Sequence, residues 1–156
     1  MVHLVPAHTT EDLSRSRALF EEYASSLPFD LDFQYFREEL AGLLGGYAPP
    51  EGCLLLAVDR GQAAGCAALR KSDGESCEMK RLYVSPRFRR LGVGRILALA
   101  IIREARKIGY RRMRLDTVPA MKEAQTLYDS LGFLKNPPYC HNPVPGAVFL
   151  ELNLAL

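Results

Sequence analysis

The chain has no tryptophan and only three histidines, His3, His8 and His141. Its four cysteines, Cys53, Cys66, Cys77 and Cys140, form no C-x-x-C pair, which excludes zinc-ribbon spacing and a thioredoxin-type dithiol. Reduced, mostly buried thiols and no metal are expected. Long apolar runs are also missing. The longest, Ile96–Ile102, has seven residues between Arg95 and Arg103, far short of the roughly 20 that span a bilayer. Residues Met1–Asp12 show no basic stretch followed by an apolar one and a small-residue cleavage site, so the expectation is a cytoplasmic protein without a membrane role. Repeats and low-complexity segments are absent, and 12 Gly and 10 Pro are too few for a fibrous period.

What is present is ordinary globular chain: 156 residues, 48% hydrophobic and 24% charged, enough to bury a core as one domain over residues 1–156. The net charge of +2 conceals an asymmetry. Residues 1–52 carry nine acids against three arginines, net −6, and the remainder carries +8. Lys80, Arg81, Arg87, Arg89, Arg90 and Arg95 fall within sixteen residues that hold no acid, a patch suited to phosphate-bearing partners.

Periodicity orders the elements. Met1–Pro6 reads as an edge strand, and Thr9 with Glu11 and Asp12 as the capped start of a helix to Ser26. A second helix, capped by Asp32, places Phe33, Phe36, Leu40, Leu43 and Leu44 on one face before Gly45. Cys53–Val58 and Ala63–Leu69 form a hairpin across Asp59-Arg60-Gly61-Gln62, and Cys77–Val84 is a third strand. The stripe Val93, Ile96, Leu97, Ala100, Ile101, Ala105, Ile108 predicts a long amphipathic helix ending at Gly109. Met113–Asp116 is a strand. Thr117 and Pro119 then open a helix through Leu131, Phe133 starts a strand, and a proline-rich loop, residues 136–146, leads to a last strand at Val148–Leu154. The order gives a mixed α/β fold with one crossover.

Between the third strand and the long helix lies Ser85-Pro86-Arg87-Phe88-Arg89-Arg90-Leu91-Gly92-Val93-Gly94-Arg95. Gly92 and Gly94 let backbone approach a ligand, the helix start offers unpaired N–H groups, and the arginines add charge, which together make a pyrophosphate cradle. A P-loop is excluded, because no lysine followed by Ser or Thr stands at the helix start. A Rossmann-like nucleotide site competes, with Asp116 where a ribose-binding acid would lie, but Leu97 replaces its third glycine.

Arg89-Arg90-Leu91-Gly92-Val93-Gly94 resembles the Q/R-x-x-G-x-G/A signature of the GNAT superfamily of N-acetyltransferases, where it binds the pyrophosphate of acetyl-CoA. Glu78–Val84 is similar to that family's fourth strand, and Ala124–Phe133, with Tyr128 ahead of Gly132-Phe133, to its second conserved block. The resemblance runs from about residue 53 to 135. It implies a GNAT-like fold: a central, mostly antiparallel sheet with helices on both faces and splayed strands four and five. Acetyl-CoA would lie along Leu82, Tyr83 and Val84 and the cradle residues Arg89, Arg90, Leu91, Gly92, Val93, Gly94 and Arg95. Its acetyl group would pass to a primary amine of a small molecule or peptide by direct attack in a ternary complex.

The same resemblance makes Glu78 the general base and Tyr128 the acid that protonates the departing thiolate. The residues alone leave Glu78 open as an ordinary strand carboxylate paired with Lys80 or an arginine, and Tyr128 as a core aromatic on the 121, 124, 128, 131 face. His141 is the alternative base, Cys140 beside it the one candidate nucleophile, and the backbone near Leu82 the oxyanion donor. Phe29 and Asp30, in an acidic and aromatic stretch continuing through Asp32, Phe33, Tyr35, Glu38 and Glu39, and Tyr139 with His141 are candidate acceptor contacts. The alternative from another class is a catalytically silent acyl-CoA-binding module, and in either case a monomer or homodimer is expected. Nucleic acid is disfavoured, since Phe88 is the lone aromatic in the basic loop.

Overall fold

A computed structural model describes residues 1–31 and 35–155. The apolar runs become β1 (His3–Pro6), β2 (Cys53–Asp59), β3 (Gln62–Lys71), β4 (Ser76–Val84), β5 (Arg112–Thr117), β6 (Leu134–Lys135) and β7 (Val148–Asn153). They form one sheet in the order β1-β2-β3-β4-β5-β7-β6, antiparallel throughout except for the parallel pair β4–β5. The helices are α1 (Thr10–Ser26), α2 (Phe36–Ala41), α3 (Val93–Ile108) and α4 (Lys122–Ser130).

Local chemistry explains most boundaries. Thr9 Oγ1 accepts the Asp12 N–H at 3.1 Å and caps α1. Arg60 and Gly61 both take positive φ, 50° and 77°, between the paired Asp59 and Gln62, the geometry a two-residue hairpin turn demands. Gly109, at φ 109°, closes α3 by donating to the carbonyls of Ala105 and Arg106, with Arg106 and Lys107 in the last turn.

Most boundaries fall within two residues of expectation, and two helices differ by more. The described part of the second helix is only Phe36–Ala41, with Tyr35 left-handed at its start and Gly42 at its end; Asp32 and Phe33 lie outside the described residues. Gly42, Gly45 and Gly46 are poor helix residues and convert the continuation into a 3-10 turn at Gly45–Tyr47. The fourth helix opens at Lys122 rather than Thr117, because Thr117 pairs with Val148 and extends β5.

The sheet buries apolar side chains on both faces. Leu97 and Ile101 of α3 share one core cluster with Met113 and Leu115, and Phe20 of α1 shares a second cluster with Leu56, Cys66 and Tyr83. Two irregularities place the site. The β4–β5 ladder covers only Ser76↔Arg112, Cys77↔Met113 and Glu78↔Arg114, after which the strands are unpaired with each other. In β4, the three-residue step from Lys80 to Tyr83 matches the two-residue step from Ala68 to Cys66, so the strand bulges at Arg81.

Candidate active site

Beside the parted strands lies an open cavity of about 580 Å³. Leu82, Tyr83 and Val84 form its β4 wall, and Arg89, Arg90, Gly92, Val93 and Gly94 its cradle wall. These were predicted from sequence, and the fold brings them together. Leu91 is 64% exposed and Arg95 instead donates to Ser130 Oγ at 3.0 Å, so neither is on the wall. Gly92 sits at φ 78°, where L side chains are strained. Gly94 is different: a Cβ there would meet only Val84 and Leu127 at 3.7 and 3.8 Å, ordinary contact.

The remaining walls were not read from sequence. Tyr23, Ser26, Leu27 and Pro28 come from the end of α1, and Met121, Ala124 and Leu127 from α4. Nothing in a lone helix end announces that it will face a ligand. Glu22 fastens α1 to the end of β4, its Oε2 accepting Tyr83 OH at 2.7 Å and Ser85 Oγ at 2.6 Å. These bonds, aided by Arg89, hold its carboxyl below the usual range despite some desolvation. Arg89 in turn donates to the Val84 carbonyl at 3.0 Å and lies over the Tyr83 ring at 5.7 Å.

Where β4 and β5 part, a buried polar cluster gathers around Glu78 and Asp116. Glu78 is 5% exposed. Its Oε1 accepts Arg70 Nε at 2.9 Å and its Oε2 accepts Tyr139 OH at 2.8 Å. Burial pushes its pKa up, but Lys80, Arg70 and the Tyr139 bond outweigh this and leave it below the ordinary carboxylate value. Asp116, on the end of β5 that pairs with β7 but no longer with β4, accepts Asn142 Nδ2 at 2.9 Å and stands 3.9 Å from Lys80 Nζ. Glu78, Asp116 and Cys140 bring their oxygen and sulfur atoms within 4.8 Å of one another. Burial, with Asp116 and Glu78 beside it, pushes the Cys140 thiol up to about 11, so at neutral pH it is protonated and a poor nucleophile.

Tyr128 is buried and off the cavity wall, its ring 5.6 Å from Phe133. Burial, then Tyr23 and Asp116, raise its pKa, so its hydroxyl is protonated and can donate. Tyr139 reaches Glu78 from the proline-rich loop, while His141 on the same loop is exposed. Phe29 is half-buried and Asp30 exposed, both off the cavity wall. Asp116 is the residue whose place in this cluster sequence reasoning missed; it was legible as an acid at a strand end, the position where a partner could be anticipated.

A parallel strand pair that parts beside a bulge, with a glycine-bearing basic helix start opening onto the cavity, is the arrangement of an acyl-CoA-dependent transferase. The model of the family described as Acetyltransferase (GNAT) family matches residues 12–133. The chain belongs to that family, and it is an acyltransferase that draws acetyl groups from acetyl-CoA. It is 42% identical over 147 residues to an uncharacterised N-acetyltransferase of Schizosaccharomyces pombe, covering 93% of this chain and 90% of that one. It is 32% identical over 108 residues to the N-acetylaspartate synthetase of Homo sapiens, covering 69% of this chain but 35% of that protein. Among solved structures, PaiA N-acetyltransferase from Thermoplasma acidophilum in complex with coenzyme A has the same fold, with TM-score 0.75, 16% identity and coverage of 98% and 99% of the two chains. No helix among the described residues is long and apolar enough to cross a membrane.

Proposed function

We propose that the acceptor is a primary amine on a small molecule or peptide, attacked by direct transfer in a ternary complex, with residues 1–156 acting as one metal-free cytoplasmic domain. The observation that carries the reading is the juxtaposition of two compartments on one gap: the cavity along Leu82–Val84 and the buried cluster around Glu78 and Asp116. Acetyl-CoA lies with its pyrophosphate on the Gly92–Gly94 helix start, between Arg89 and Arg90. Arg70 and Lys80 already neutralise the two carboxylates, the role a metal would otherwise take.

The amine lone pair attacks the thioester carbonyl, and the ammonium proton must leave before or during attack. Glu78 is a poor terminal base, since both oxygens are engaged and its pKa is held low. It favours an ammonium arriving nearby and passes the proton on through water. Asp116 supports a second reading, because among the described residues its Oδ1 meets Lys80 Nζ only at the long distance of 3.9 Å; it takes the proton directly. The tetrahedral oxyanion is met by backbone N–H at the bulge, and collapse expels the thiolate, which Tyr128 protonates. An amine panel containing polyamines, amino acids including aspartate, and peptide N-termini, assayed for thiol release from acetyl-CoA, tests this. Release dependent on one amine class is expected. Tight acetyl-CoA binding with no release from any amine would make the chain a silent acyl-CoA-binding module instead.

A further inference from the structure

Arg81 is where β4 breaks register, and it holds a conformation that strand residues do not adopt unaided. Its φ is 58°, a left-handed value that costs an L-residue on the order of 1–2 kcal/mol. The side chain supplies the hold. Arg81 is 4% exposed, Nε donates to Glu39 Oε2 and a terminal N–H to Oε1, both at 2.8 Å. The guanidinium also lies 5.3 Å from the Phe36 ring and 6.0 Å from the Tyr23 ring, and the Arg81 carbonyl accepts the Cys66 thiol at 3.3 Å. Glu39 and Phe36 belong to α2, and Tyr23 belongs to α1. The next three residues, Leu82, Tyr83 and Val84, form the β4 wall of the cavity.

A buried ion pair is weak evidence for stability, because apolar replacements of similar volume are often neutral or better. A two-point fork supplies direction instead: it fixes the guanidinium in one plane, which an ammonium does not. We propose that the Arg81–Glu39 pair is a positioning device that aims the backbone donors of the bulge at the thioester carbonyl and makes that aim depend on the seating of α2. The inference rests on the acetyl-transfer reading above. Neither side chain touches the reacting atoms; α2 is coupled through them to the strand whose end lines the cavity.

The test uses full-length, 15N-labelled Glu39→Gln and Arg81→Lys, with Glu39→Asp as the variant that keeps a carboxylate. Acetyl-CoA affinity is measured by calorimetry, the Leu82 amide by NMR with and without acetyl-CoA, and turnover with the amine selected by thiol release. In Glu39→Gln and Arg81→Lys, kcat per folded protein falls about tenfold or more while the acetyl-CoA Kd moves less than about twofold, the signature of an interaction made in the transition state. The Leu82 amide shifts in the complex, and Glu39→Asp recovers part of both changes. An unmoved Leu82 amide with unchanged kcat in a folded variant overturns the proposal, as does a Kd loss that matches the kcat loss. If Glu39→Gln does not fold, Arg81→Lys carries the same readouts. A wild-type protein that releases no thiol defeats the acetyl-transfer reading alone, since the Leu82 amide still reports on the pair.

Discussion

At the scale of single residues, Tyr128 separates a structural role from a chemical one. It shares a helix face with Ala124, and its ring packs tilted against Phe133, so the ring would be kept by packing alone. Its hydroxyl is what chemistry needs, and burial keeps that hydroxyl protonated. Tyr128→Phe preserves the ring; turnover is expected to fall about 100-fold, the low end of what a positioned acid contributes, with acetyl-CoA Kd within about twofold. Steady-state kinetics alongside calorimetry check it, and unchanged turnover removes Tyr128 from the mechanism. Tyr128 and Glu78 were legible because each stands in a recognisable local frame. Arg70 and Tyr139, the partners that set the protonation of Glu78, come from β3 and from the loop before β7, and only folding brings such distant positions together. The left-handed Arg81 was equally hidden, since no turn residue marks it in the sequence.

At the scale of elements, α3 was the most legible because its stripe, its glycine stop and its basic last turn all agree. The second helix was the least: a few apolar residues at the right spacing overrode the glycines that cut it short. The start of α3 also distinguishes its two glycines. Gly92 needs to be glycine for the backbone, whereas Gly94 has room for a methyl group against Val84 and Leu127. The absence of a side chain at 94 therefore serves the cavity it lines. Gly94→Ala should leave thermal stability unchanged or raise it, since alanine in a helix is worth up to about 1 kcal/mol over glycine. At the same time it should raise the acetyl-CoA KM by roughly tenfold, about 1.4 kcal/mol of binding. A melting curve and a KM measured together decide it: an unaltered KM means the pyrophosphate does not approach at Gly94.

At the scale of the whole molecule, two acids of the acidic N-terminal part, Glu22 and Glu39, are used to hold the fold together. Glu22 and Glu39 bind α1 and α2 onto β4 through Tyr83, Ser85 and Arg81, so these acids are not a free surface awaiting a cationic acceptor. The interior polar cluster gives the molecule a pH dependence with a definite sign. Glu78 has a folded pKa below its ordinary value of 4.5, so folding favours its ionised form. Its contribution is fully present above the unfolded-state value and is lost as pH falls through the lower, folded one. Protonation strands the Arg70 guanidinium and changes the Tyr139 bond, which ties the proline-rich loop to β4. Denaturant unfolding followed from neutral pH down to about pH 3 should therefore show the wild type losing stability more steeply than Glu78→Gln, whose amide cannot titrate. The variant starts lower at neutral pH, because an uncharged group faces Arg70 and Lys80, and the two curves converge in acid. Parallel curves over the whole range would mean that the cations around Glu78 do not hold it ionised, and the water-relay role would fall with them, leaving Asp116 as the proton acceptor.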